Sequence, residues 1–167
     1  MIDLQRFCAN EFELRSGLRR PWRDGAWVYA TNGALIVRVP AESVQDAPLC
    51  VEGCQPRSAP ALFETWLDKT DGDFLVMPPL PERAVCSFCS GGGADDDGDE
   101  CPSCYGTKYE WVRFPLGYTG FNLHYLHELS TLPQVRIRTN GTNAAALVFD
   151  GGQALLMPMR DRNGVRK

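Results

Sequence analysis

Long apolar runs are missing from this 167-residue chain. No stretch approaches the roughly 20 apolar residues of a membrane-spanning helix. Met1-Ile2-Asp3-Leu4-Gln5-Arg6 lacks the charged-then-apolar pattern of a secretory signal. These absences set the expectation of a cytoplasmic protein with no membrane partner, in which thiols stay reduced. Also missing are a Gly-rich phosphate loop, a nucleophile elbow and the His–carboxylate pattern of an open zinc site. The two histidines, His124 and His127, lie one helical turn apart on a single stretch. They read as part of a solvent- or DNA-facing helix in preference to a metal site. The expectation is a non-enzyme with no catalytic residue.

A surplus of basic charge is lacking too. Seventeen Lys and Arg face 21 Asp and Glu, for a net charge of −4 and a pI near 5.2. That excludes a protein that coats nucleic acid with its whole surface. The acid is uneven, because Asp95, Asp96, Asp97, Asp99 and Glu100 form one short run. Setting these five aside leaves 17 bases against 16 acids, so a local basic face remains open. Only three of the bases are lysine, and arginine is the better fork for phosphate and carboxylate. Arg15, Arg19, Arg20 and Arg23 cluster ahead of the first hairpin as candidate DNA-backbone contacts; a solvated loop is the plainer reading.

Seven cysteines are present, and four of them have a pattern. Cys86-Ser-Phe-Cys89 and Cys101-Pro-Ser-Cys104 are two Cys-x-x-Cys knuckles. A two-residue gap lets both sulfurs of one turn face the same ion, and a second knuckle completes a tetrahedron of thiolates, the geometry zinc favours. Ser90-Gly91 and Tyr105-Gly106 follow, where glycine permits a tight turn that directs amide hydrogens toward sulfur. Four thiolates leave no open position, so one structural zinc ion is expected. Free thiol pairs, disulfides or an iron–sulfur cluster are the competing uses of these residues. Cys8, Cys50 and Cys54 read as ordinary side chains. The acid run reads as the solvated tip of this segment, without the register of a calcium loop.

Apolar periodicity gives the rest. Ala26–Tyr29 and Leu35–Val39 flank Thr31-Asn32-Gly33, a strong hairpin signal. A short helix is expected over Asp3–Asn10, a proline-rich loop after the hairpin, a helix over Ala61–Lys69 and a strand over Asp73–Met77. Farther on, strands are expected over Tyr109–Phe114, Val135–Thr139, Ala145–Phe149 and Ala154–Met159. Asn122 caps a helix that runs to about Leu132. The order of this last third is strand, helix, strand, strand, strand. Residues 84–108 interrupt it as a zinc-knuckle insertion within a single domain spanning 1–167.

The repeated Cys-x-x-Cys-x-Gly form resembles the zinc-binding repeats of DnaJ-type chaperones over about twenty residues, without a J-domain signature. The stretch from Phe121-Asn122-Leu123-His124-Tyr125-Leu126 to Met157-Pro158-Met159-Arg160 resembles the last half-domain of the bacterial DNA polymerase sliding clamp, the β subunit. Ala30-Thr31-Asn32-Gly33 resembles that family's Ala-Thr-Asp-Gly hairpin. The family's next two residues are usually His-Arg, whereas Ala34 and Leu35 stand here. The resemblance implies an α+β, DNA-clamp-like domain with two helices on antiparallel sheets, here carrying an inserted four-cysteine zinc finger.

It further implies double-stranded DNA as a partner through backbone contacts by helices lining a hole. A homo-oligomer and a replication protein are implied as partners too. Carried over residue by residue, Leu155, Met157, Pro158, Met159 and Arg160 become candidate peptide-binding residues. A family clamp has three such domains, and this chain has room for one. The expectation is therefore a non-enzymatic accessory module in DNA replication or repair, of a kind that would suit a phage or mobile element. A zinc-stabilised protein-binding adaptor with no DNA contact is the alternative.

Overall fold

The computed structural model describes residues 2–44, 58–68, 72–139, 141 and 143–159. The proline-rich loop with Cys50 and Cys54, Asn140 of the Asn-Gly turn, and Arg160 lie outside the described residues. The chain is α+β, mostly antiparallel sheet with two helices. Its strands are β1 (Trp22–Asp24), β2 (Trp27–Thr31), β3 (Leu35–Pro40), β4 (Leu75–Val76), β5 (Arg113–Leu116), β6 (Thr119–Asn122), β7 (Arg136–Arg138), β8 (Ala145–Phe149) and β9 (Gly152–Leu156). The helices are α1 (Ala59–Phe63), prolonged by a π-helical turn over Glu64–Asp68, and α2 (Leu123–Ser130). Neither is long and apolar enough to cross a membrane.

Seven strands form one sheet in the order β1-β2-β3-β9-β8-β7-β4, and β5 and β6 form a separate hairpin. The pairing that joins the two ends of the chain is β3 with β9, where Ile36 opposes Leu155 and Val37 opposes Ala154. The asparagine–glycine turn between β2 and β3 forms as expected. Asn32 accepts the amides of Ala34 and Leu35, and Gly33 takes a φ of +89° that a side chain would resist.

Successive side chains of a strand face opposite sides of a sheet, and here both sides are buried. Val28, Ala30, Val37, Leu147 and Leu156 join Leu126 and Leu129 of α2 in one core. Tyr29, Ile36, Ala146 and Leu155 join Ala59, Phe63 and Leu67 of the α1 region in another. The central strands are therefore apolar at consecutive positions instead of alternating. The two helices lie on opposite faces of the seven-stranded sheet.

Several boundaries differ from expectation for local reasons. Asp3–Asn10 makes a single 3-10 turn at Gln5–Phe7, anchored by the fully buried Phe7. The expected strand over Tyr109–Phe114 begins only at Arg113, because Tyr109 closes the base of the cysteine segment. The strand over Asp73–Met77 shortens to Leu75–Val76. The last strand ends at Leu156, after which Met159 crosses to donate its amide to Gly120 of β6. β6 is an additional strand before α2, so the last third runs strand, strand, helix, strand, strand, strand. Asn122 caps α2 as expected, accepting the His124 amide at 2.8 Å.

Candidate metal centre

The two knuckles fold alike because their sequences repeat the same turn. Cys86 and Cys101 begin them, and each donates its amide across a short hairpin, to Lys108 and Gly93 respectively. Isolated bridges, Val85 with Tyr109 and Ala94 with Glu100, sit just outside each first cysteine. Each knuckle closes with two consecutive left-handed residues, Ser90-Gly91 (φ 49° and 80°) and Tyr105-Gly106 (φ 51° and 70°). That conformation turns the next amides back toward sulfur. Gly93 donates to Cys89 Sγ at 3.3 Å, and the Lys108 amide plays the matching part at Cys104.

The result brings all four expected cysteines together, with their sulfurs within 4.8 Å of one another. Cys86, Cys101 and Cys104 are buried and Cys89 is half-buried. They form a small core of their own, separate from both faces of the sheet. Cys86 Sγ lies 3.9 Å from Cys101 Sγ, and Cys89 Sγ lies 3.7 Å from Cys104 Sγ. A tetrahedron with metal–sulfur bonds of about 2.3 Å has edges of about 3.8 Å, whereas a disulfide needs sulfurs about 2.05 Å apart. The cluster therefore fits a single ion and is too tight to surround several irons. The Gly93 amide, with the neighbouring sulfurs helping, holds the Cys89 thiol down to about 6. Burial pushes Cys104 up to about 12. A buried set like this yields its protons to a bound cation, whose charge offsets the desolvation.

The cysteine segment is tied to the body at its base. Glu110 donates its amide to Ala84 and accepts from both the amide and hydroxyl of Ser87. Next to it, Arg83 lies over Tyr109 at 4.0 Å, and Tyr109 stacks on His124 of α2 at 5.3 Å. Arg83 also donates to His124 Nδ1 and to Glu128, both at 3.0 Å. His127 Nε2 meets the Pro81 carbonyl at 2.7 Å, and Arg6 pairs with Glu128 at 3.0 Å. The outward side chains of α2 are thus occupied by the protein itself. His124 is not the solvent-facing residue expected: it packs against Arg83 and Tyr109, and burial holds it down to about 4.

The other expected site residues are scattered. Arg15 is bound to Glu13 at 2.8 Å, which holds that carboxyl down to about 2, and Arg19 donates to the Glu13 carbonyl. Arg20 and Arg23 are exposed. Of the candidate peptide-binding residues, Leu155 is fully buried beneath α1, so it serves the core instead. Met157, Pro158 and Met159 are half-buried at the end of the sheet. Sequence reasoning missed an aromatic row beside the knuckles: Tyr105, Trp111 and Tyr125, continued by His124 and Tyr109. The only advance signal was the density of aromatics between 105 and 125.

Set against protein-family models and against curated proteins, the chain matches none. What it can do is argued from its own residues.

Proposed function

We propose that the chain is a non-enzymatic, zinc-stabilised accessory module of DNA replication or repair, built on one clamp-like domain, that works by docking a protein. The 3.7 and 3.9 Å sulfur edges support zinc as the ion. The replication context comes from the resemblance of residues 121–160 to the sliding clamp. The observation that carries the protein-docking mode is the engagement of α2, whose His124, His127 and Glu128 are all bonded within the chain. Among the described residues α1 packs on the face of the sheet opposite α2, an arrangement that supports docking of a protein over a helix pair following a DNA backbone. The half-buried Met157 and Met159 offer an adaptable apolar edge for a partner.

A second reading, DNA contact through the backbone, is favoured by Arg20 and Arg23, which are exposed and form no ion pair among the described residues. Non-denaturing mass spectrometry of the unchelated protein, paired with a salt titration of duplex DNA binding, separates the two. The expected result is one zinc per chain, no closed ring of about six chains, and no DNA retention that falls steeply with salt. A six-chain ring, or steep salt-dependent binding lost in Arg20→Glu/Arg23→Glu, overturns the docking mode. A chain without metal overturns the zinc assignment.

A further inference from the structure

A cleft of about 750 Å³ lies between the cysteine segment, the N-terminal segment and the start of α2. We propose that this cleft docks a basic peptide segment, with a lysine or arginine side chain lying against Tyr105, Trp111 and Tyr125 and Glu100 as its counter-charge. The volume suits several residues of an extended chain and exceeds what one side chain needs.

The aromatic lining is arranged for a cation. Tyr105 and Trp111 meet at 5.0 Å with their planes 67° apart, and Trp111 and Tyr125 meet at 6.1 Å and 84°. Near-perpendicular rings make a corner that presents both faces and edges. A cation over a ring face is held by the ring's quadrupole. Trp111 keeps 38% and Tyr105 53% of their surface exposed, so part of each ring remains within reach of a ligand.

Charge selects the occupant. Of the three cations lining the cleft, Arg6 is bound to Glu128 and Arg15 to Glu13. Lys108 alone has no ion pair among the described residues. Among the described residues Glu100 is bonded by the Asn10 side-chain amide at 3.2 Å and forms no ion pair. Immediately before it come Asp95, Asp96, Asp97 and Asp99, with Asp96, Asp97 and Asp99 exposed. A phosphate backbone would meet this field as repulsion, whereas a basic peptide would be drawn in.

The metal enters through the chain. Glu100 precedes Cys101 and Tyr105 follows Cys104, so one wall of the cleft is held by the cysteine cluster. Metal binding thereby orders a docking surface in addition to a fold. That part of the proposal rests on the zinc reading above; the cleft itself does not.

The test uses the zinc-loaded full chain and a fluorescein-labelled peptide of alternating lysine and glycine, with the glutamate–glycine peptide as its counterpart. The lysine peptide should bind and the glutamate peptide should not. Trp111→Leu should weaken binding about tenfold and Glu100→Gln about fivefold, with zinc content and melting midpoint unchanged. Tyr105→Leu, at a more exposed position, guards against a folding defect in the Trp111 variant. Unchanged affinity in Trp111→Leu and Tyr105→Leu overturns the proposal, as does equal binding of the glutamate peptide. Trp111-dependent binding of an oligodeoxynucleotide in place of the lysine peptide also overturns it. Chelation should abolish peptide binding; binding that survives chelation yet still needs Trp111 keeps the cleft and overturns its metal dependence.

Discussion

Cys101 is fully buried, and its sulfur lies in the cluster with Cys86, Cys89 and Cys104. Structural zinc contributes on the order of 10 kcal/mol to small cysteine-rich folds, far more than a few apolar contacts supply. Cys101→Ser is therefore expected to lose the metal and unfold residues 84–108. Because the cluster shares no buried residue with the two sheet cores, the main sheet should persist. Metal analysis with amide exchange checks this: loss of protection confined to residues 84–108 is expected, and global unfolding would show that this segment is integral to the body. These four cysteines were legible in sequence because spacing alone fixes which sulfurs meet. The same logic does not reach Leu155, because a strand residue's face depends on what covers the sheet, which is not written in its neighbours. Nor does spacing announce that Arg15 pairs with Glu13.

At the scale of elements, legibility followed periodicity. The strand over Ala145–Phe149 was read to the residue, and the capped helix after Asn122 began where expected. β6 was missed because Thr119-Gly120-Phe121-Asn122 is buried throughout and has no alternation to read. The first helix, expected over Ala61–Lys69, starts two residues early, and Lys69 lies outside the described residues. It starts at Ala59, ahead of Pro60, a residue suited to a first helical turn, and it widens into a π turn after Phe63. Phe63 is what holds it to the sheet. It is fully buried, 6.0 Å from Tyr29, and capped by the Arg38 guanidinium at 4.1 Å. Arg38 in turn donates to Gln153 across the β3–β9 pairing at 2.7 Å. Phe63→Ala is expected to cost about 3–5 kcal/mol through the cavity it leaves, measured by denaturant unfolding. Metal content should not change, since the cysteine segment joins the opposite face through α2. A coupled loss of zinc would show that the two faces communicate.

For the whole molecule, the joint between the cysteine segment and the sheet is the feature that no local pattern announced. It is assembled from Arg83, Tyr109, His124 and Glu128, residues up to forty-five positions apart. An acid sensitivity of definite direction is expected from it. Burial holds His124 down to about 4 from an ordinary 6.5, and the Arg83 N–H on Nδ1 requires the neutral ring. The unfolded chain binds a proton at this site below about pH 6.5 and the folded chain only near 4. Stability from His124 is therefore complete above 6.5, declines as pH falls toward 4, and is constant below that. After discounting for its remaining contact with water, the loss should reach about 2 kcal/mol. Acid also returns protons to the cysteines, so the two effects must be separated. In His124→Gln, which keeps a polar group facing Arg83, the decline between pH 6.5 and 4 should flatten while acid release of zinc remains. If the variant and parent lose stability in parallel across that range, the acid response belongs to the metal cluster and the joint carries none of it.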